Sequence, residues 1–438
     1  MIEKKVGIGI LGLGHVGKGT FDILEKNQAF ISQEIYPYQI GLIGLADLDV
    51  NRETKSEKYD TFFTESADQI IEHPEIQIVI EAVGGEYPSY DFIKKALLKG
   101  KHVVTPNKEV VAKHGYELLD IARQNQVQFL FETSVGSAIP ILGVISNILT
   151  SCPLEEIVGI LNGTTNYILD LMFECQMSQE EALKKAQEIG YAEADPSKDI
   201  DGLDALYKIF ILSSLGFRTR LRLDQINFCG IRDIAQEDIQ LARQLGYRIK
   251  LVAIARKKED IAGIRVQPML MDMDHVLVDI HGANNGILLY GESYGELFFS
   301  GAGAGGIAGG SMIVSDIVRI INQPEYFEYD YLVQNPRELK VLNLDQEENA
   351  YYVRIQPQNG QISSHGVEKI FEQNGLSIDK NTEIVSAGDQ KMIGVLTAPS
   401  LERKLKAALE KIKQDETGYK ILNYLSVYRK MRDQYGRS

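Results

Sequence analysis

Little sulfur, no long apolar run and no excess of positive charge set the first limits on this 438-residue chain. The three cysteines, Cys152, Cys175 and Cys229, are unevenly spaced and form no CxxC pair, so neither a disulfide framework nor a zinc cluster is indicated and a reducing compartment fits. No stretch reaches the roughly 18 apolar residues that a spanning helix needs. The opening MIEKKVGIGILGLGHVG has two lysines before an apolar run, as a signal peptide does, but glycines break the run and no small-residue cleavage site follows. With 46 Lys and Arg against 61 Asp and Glu, the formal charge is -15, which argues against nucleic acid or an anionic membrane as the main partner. There is no low-complexity tract, and 44% hydrophobic with 24% charged residues describes a globular chain. Its length calls for about two or three domains. The expectation is a cytoplasmic protein that binds a small molecule.

What is present begins with glycine. Lys5 to Leu11 is a compact apolar strand candidate, followed by Gly12, Gly14 and Gly17 in GxGxxG spacing and a helix through Leu24. Glycines at that spacing let a backbone approach a pyrophosphate, whose charge the amides at a helix start stabilise. Further strand candidates at Ile40–Ala46, Ile76–Val83 and His102–Thr105 alternate with helices, an order that predicts a doubly wound parallel sheet. Asp47 ends the second strand, where a carboxylate accepts hydrogen bonds from a ribose diol and repels a 2′-phosphate; its other reading is a turn residue. Arg52 and Lys55 stand close enough in sequence to offer a 2′-phosphate a positive charge, so a dinucleotide with or without that phosphate is expected.

The second concentration is of charge. GYAEADPSKDIDGLDALYK, from Gly190 to Lys208, places Glu193, Asp195, Asp199, Asp201 and Asp204 ahead of one lysine. From Leu203 onward the apolar spacing is helical, which puts Asp204 and Lys208 at i and i+4 on one face. A lysine screened from water beside carboxylates can take up and release a proton, and carboxylates can hold a cationic substrate. A solvated acidic loop ahead of an ordinary helix ion pair is the competing reading. Later in the chain, GAGAGG at Gly301–Gly306 precedes IAGGSMIVSDIVRII, either a loop returning to the cofactor or a device for close helix packing.

With GILNGTTNYIL at Gly159–Leu169, these segments resemble homoserine dehydrogenase of the long bacterial type. The ordered motifs are GLGHVG, TPNK at Thr105–Lys108, ETSVGSAIP at Glu132–Pro140, NGTTNYIL, EADPxxDxxGxDAxxK at Glu193–Lys208, and GAGAGG. The resemblance implies NAD(P)-dependent interconversion of L-homoserine and L-aspartate 4-semialdehyde, with Lys208 as proton donor and Lys108 as a second active-site lysine. It implies Glu193 and Asp204 on the substrate ammonium, Asp199 in an orienting role, and Asn162 and Thr164 at the substrate; an N-cap is the other reading of Thr164. Gly12, Gly14, His15, Val16, Gly17, Asp47, Lys108, Gly190, Gly303 and Gly305 are expected at the cofactor. Glu132, Val135, Ser137 and Ile139 match the family's monovalent-cation site, such as one for sodium, built from main-chain carbonyls.

The expected architecture is α/β: a Rossmann-type domain at 1–131, with 303–325 packing back onto it, then an α+β substrate and dimerisation domain at 132–302. A linker at 326–347 and a βαββαβ unit at 348–438 follow. That unit resembles an ACT regulatory domain, although QPQNGQISS stands where the family carries an Asp-x-Pro-Gly turn. The site is expected in the cleft between cofactor and substrate domains, in a homodimer or higher homo-oligomer. Nothing resembles an aspartate kinase ahead of the glycine loop, so a monofunctional enzyme is expected. Two other functions fit less of the chain: an amino-acid sensor with a vestigial dehydrogenase body, and a dehydrogenase for another small amino-acid or aldehyde substrate.

Overall fold

The computed structural model describes residues 4–342, 348–357, 364–385, 391–414 and 418–430. Residues 358–363, within the loop expected to carry the regulatory turn, lie outside the described residues. Two compact units form: Met1–Glu155 with Tyr207–Gln225 and Tyr290–Leu339, and Glu156–Leu206 with Ile226–Leu289 and Lys340–Ser438. Among the described residues, no helix is long and apolar enough to cross a membrane.

In the first unit, β1 (Lys4–Leu11), β2 (Tyr38–Ala46), β3 (Phe62–Thr64), β4 (Ile76–Glu81), β5 (His102–Val104) and β6 (Phe129–Leu130) form a six-stranded sheet. Its order is β3-β2-β1-β4-β5-β6 and every pairing is parallel. Such a sheet is covered on both faces, which is why its strands read as continuous apolar runs rather than alternating ones. Ile8, Ile10, Leu42, Leu45, Ile78, Ile80, Val103 and Val104 are all buried, each worth about 1.5–3 kcal/mol of removal from water. The chain order reverses between β1 and β4, the switch point beside which doubly wound sheets bind ligands.

Helix His15–Lys26 follows the glycine loop and packs against helix Gly306–Asn322. The crossing is too close for side chains. A Cβ on Gly19 would lie 2.0 Å from the Gly306 carbonyl oxygen, and one on Gly310 would lie 2.5 Å from the Gly19 carbonyl carbon. The glycines at 306 and 310 are therefore a packing device, while Gly305, with φ +135°, caps the helix start. The stretch expected to be a linker is partly folded: Asp330–Gln334 is a helical turn, Tyr329 and Leu332 are buried, and Arg319 pairs with Glu328. Apolar and charged side chains in that stretch find partners in the first unit.

In the second unit the sheet runs Asn284–Gly291, Glu156–Ile160, Tyr247–Lys258, Ile261–Asp272, Tyr419–Val427, Tyr351–Pro357, Lys391–Thr397, Ile378–Val385. The last four strands, with helices Ser364–Gln373 and Glu402–Gln414, follow one another in βαββαβ order. Their core gathers Tyr351, Val353, Ile355, Phe371, Ile393, Val395, Leu405, Leu409 and Ile412. Ile378–Val385 is a single strand, whose pairing with Lys391–Thr397 carries polar Asn381 and Thr382 through its middle. This four-stranded sheet continues the other: Met269 and Leu270 pair in parallel with Ser426 and Val427.

Candidate functional site

At the carboxyl end of β1, Gly12 takes φ +88°, and a Cβ there would lie 2.6 Å from the Ala82 carbonyl oxygen. Gly14 faces open space apart from the Arg52 guanidinium, 4.0 Å from where its Cβ would be. Backbone approach by a phosphate is thus free at Gly14, in front of the first N–H groups of a 12-residue helix that begins with His15, Val16 and Gly17. These residues fit a dinucleotide. Asp47 closes the loop: Oδ2 accepts the Leu13 N–H at 2.6 Å and a bond from Arg52 at 3.3 Å, and Oδ1 accepts the Asp49 N–H at 2.9 Å. Burial alone would raise the Asp47 carboxyl, but the Asp49 and Leu13 N–H groups and the Arg52 charge hold it below the usual carboxylate range.

Two more loops rise at the same edge of the sheet. Thr105-Pro106-Asn107 links β5 to helix Lys108–Gln124, and Asn107 Oδ1 accepts the Val110 N–H at 3.2 Å as the N-cap. Lys108 is then the first helical residue, half-buried. A cation at that position opposes the helix dipole by about 0.3–1 kcal/mol. Sequence reasoning missed Glu81, a fully buried carboxylate ending β4 that accepts the Thr105 hydroxyl at 2.6 Å. Its one signal is an acidic residue closing the apolar run IQIVIE.

In the second unit Asn162 caps helix Gly163–Cys175, its Oδ1 accepting the Thr165 N–H at 2.8 Å. The cap is therefore Asn162, not Thr164, whose hydroxyl instead donates to the Tyr191 carbonyl at 2.7 Å and ties the helix start to the turn after Gly190. With its other end Asn162 gathers acid: Nδ2 donates to Asp199 Oδ1 at 2.7 Å and to Asp204 Oδ2 at 2.9 Å. Beneath them Lys250, fully buried, donates to Asn166, Asp170 and the Ile280 carbonyl. Burial lowers the Lys250 ammonium to about 8 despite the Asp170 charge.

The five carboxylates of the acidic segment now separate. Asp195 accepts the hydroxyl and N–H of Ser197 in a local turn, and Asp201 is bound by Arg232 at the surface. Glu193 is exposed. Asp199 and Asp204 converge on Asn162. Asp204 lies in the first turn of helix Leu203–Gly216, and Lys208 follows one turn on; each is only 6% exposed. A buried lysine on a helix that also carries a buried carboxylate has the makings of a proton carrier.

Glu132, Val135, Ser137 and Ile139 lie in one buried turn of the first unit, with Ser137 at φ +52°. The Glu132 carboxylate is used internally: it accepts the Leu142 and Gly143 N–H groups, each at 2.7 Å, and faces Arg319. Gly303 sits in the loop between strand Gly295–Ala302 and Gly305. Among the described residues, no cluster of three or more His, Cys, Asp or Glu side chains could hold a metal ion.

Two family models match: homoserine dehydrogenase over residues 140–318, and the homoserine dehydrogenase NAD binding domain over 12–132. A Synechocystis homoserine dehydrogenase is 36% identical, covering 96% of this chain and 99% of its own length. One from Bacillus subtilis is 34% identical over 90% of this chain and 91% of that protein. The crystal structure of a homoserine dehydrogenase from Thiobacillus denitrificans superposes with a TM-score of 0.88 at 31% identity, covering 97% of this chain and 98% of the other. A hyperthermophilic archaeal homoserine dehydrogenase in complex with NADPH gives a TM-score of 0.62 at 26% identity, over 74% of this chain and 99% of that one.

Proposed function

The chain belongs to the homoserine dehydrogenase family, an NAD(P)-dependent oxidoreductase, and from that premise we propose how its residues divide the interconversion of L-homoserine and L-aspartate 4-semialdehyde. Bound NAD(P), seated on Gly12, Gly14 and the start of helix His15–Lys26, supplies or accepts the hydride. Reduction of the aldehyde builds negative charge on its oxygen, and Lys208 meets that charge with a proton; in the oxidative direction Lys208 takes the proton back. Lys108 supplies a second positive charge to the same oxygen or to the substrate carboxylate. Asp204 and Glu193 hold the α-ammonium by charge-assisted hydrogen bonds, and Asp199 orients through Asn162. The observation that carries the reading is Asn162 holding Asp199 and Asp204 together one helical turn before buried Lys208.

The purified protein should oxidise homoserine with NAD or NADP. Lys208→Ala should lose roughly 10²- to 10⁴-fold in turnover and still enhance NADPH fluorescence on binding. Full turnover in that variant would remove Lys208 from the proton step. The same reading includes a cytoplasmic homo-oligomer, and a monovalent cation on the carbonyls of Glu132, Val135, Ser137 and Ile139, tested by activity with sodium replaced by a bulky organic cation.

A regulatory reading of the βαββαβ unit as ACT-like has one observation in its favour. A cavity of about 370 Å³ opens where strand Ile261–Asp272 meets strand Tyr419–Val427, lined by Arg265, Gln267, Asn349, Glu402, Lys406 and Tyr424 among others. Its wall mixes these polar side chains with apolar ones such as Val266 and Leu425, and it is of a size for a small effector. Calorimetry with threonine tests it: no heat beyond dilution would leave the unit a structural one.

A further inference from the structure

We infer that Glu81 is a positioning residue that sets Lys108 through a closed circuit of hydrogen bonds. The inference rests on the assignment of Lys108 to the active site. The circuit joins the two loops that leave β4 and β5. Glu81 Oε1 accepts the Val83 N–H at 2.8 Å and the Gly84 N–H at 3.4 Å. Its Oε2 accepts the Thr105 hydroxyl at 2.6 Å. Because Thr105 donates to Glu81, its oxygen is left to accept the Asn107 N–H, at 3.0 Å. Asn107 then reaches back across the gap, Nδ2 donating to the Gly85 carbonyl at 2.7 Å, and caps the helix that starts at Lys108.

Every bond in the circuit has a fixed direction, and the direction begins at Glu81. A carboxylate has no proton, so it takes three donors and imposes donor character on the Thr105 hydroxyl. Glu81 and Thr105 are fully buried and Asn107 nearly so, and water offers no substitute partner in such a place. The loop from Glu81 also abuts the glycine loop, since Ala82 sits against Gly12. One buried carboxylate thus fixes the backbone on which Lys108 stands relative to the cofactor loop. A lysine side chain has four rotatable carbons and little intrinsic precision, so its aim depends on where its backbone is held.

The circuit also explains why glutamine cannot replace the carboxylate. In Glu81→Gln the carboxamide oxygen can keep the Val83 and Gly84 N–H groups, but its NH2 then faces Thr105 as a donor. The Thr105 oxygen would receive two donors and its own proton would lose its acceptor. Polarity is reversed at the link that leads to Lys108.

The test is a set of double-mutant cycles on homoserine oxidation, with cofactor affinity followed by NADPH fluorescence. Glu81→Gln and Thr105→Val should each lower kcat by roughly 10- to 100-fold, the scale of an ångström-sized misplacement, with cofactor affinity changed less than about threefold. Thr105→Ser, which keeps the hydroxyl, should stay within about threefold of the parent. In a Lys108→Ala background, Thr105→Val should cost little more, because the residue being positioned has gone. A merely structural role would multiply the loss in both backgrounds, and that result overturns the inference, as does Thr105→Ser being as poor as Thr105→Val. Full activity in Lys108→Ala would instead overturn the assignment of Lys108 on which the inference rests. If Glu81→Gln does not fold, the Thr105 series decides alone.

Discussion

Asn162 and Asp204 are joined 2.9 Å apart, amide nitrogen to carboxylate oxygen, across 42 residues of sequence. The same nitrogen holds Asp199, so a neutral amide keeps two carboxylates together without neutralising either. Asn162→Asp would place a third acid against them. Homoserine turnover should fall by about 100-fold or more, since buried like charges a hydrogen bond apart cannot all ionise. Asn162→Ala should lose the cap as well, with about 1 kcal/mol of stability measured by urea denaturation. Near-parental kcat/KM in Asn162→Asp would show that the clamp is not part of the site.

Asp204→Asn tests the ammonium assignment. Loss of one charge-assisted hydrogen bond, worth about 1.5–3 kcal/mol, should raise KM for homoserine roughly 10- to 100-fold. A rise in KM for the cofactor, with homoserine untouched, would place Asp204 elsewhere.

The Asp47–Arg52 pair should govern cofactor choice. Asp47 is pinned by the Leu13 N–H, whereas the Arg52 side chain is about half exposed and stands over Gly14. Arg52→Ala should therefore raise KM for NADP by about tenfold, on the scale of one charge-assisted contact, and move KM for NAD by no more than about twofold. Equal changes for both cofactors would show that Arg52 does not meet a 2′-phosphate.

His102 predicts an acid-sensitive sheet. Its Nδ1 accepts the Gln128 N–H at 3.0 Å, which requires a neutral ring, and burial lowers its pKa from 6.5 to about 4. Between those two values the unfolded chain binds a proton that the folded chain refuses, so the stability this residue contributes is present above about pH 6.5 and is lost as pH falls toward 4. Urea midpoints should fall more steeply over that window for the parent than for His102→Asn. Parallel curves would assign the acid sensitivity to other groups.

Much of this was readable in sequence because it is local. β1, β2, β4 and β5 are apolar runs, and the glycine spacing declares its turn. β3 and β6, three and two residues long, are the two edge strands, each paired on one side only and too short to show a pattern apart from the neighbour that fixes it. Strand Ile261–Asp272 carries Pro268 and a buried Arg265, which mask it as a strand although its other edge pairs fully with Tyr247–Lys258. At the site, residue types were legible and partnerships were not. Asn162 stood only as a residue the resemblance implies at the substrate, and its hold on Asp199 and Asp204 depends on segments that only the fold brings together. GAGAGG read as either a cofactor loop or a device for close helix packing; Gly306 does pack closely, but its partner Gly19 is one that no local pattern names.

That contact bears on how the protein is made. Gly19 and Gly310 are roughly 290 positions apart, and the ribosome adds about 5–20 residues each second. The nucleotide-binding sheet therefore waits about 15 to 60 seconds in synthesis with the glycine face of its first helix uncovered. Its completion is the work of a segment from the far half of the chain, so the first unit is finished only after Glu156–Leu206 and Ile226–Leu289 of the second have been synthesised.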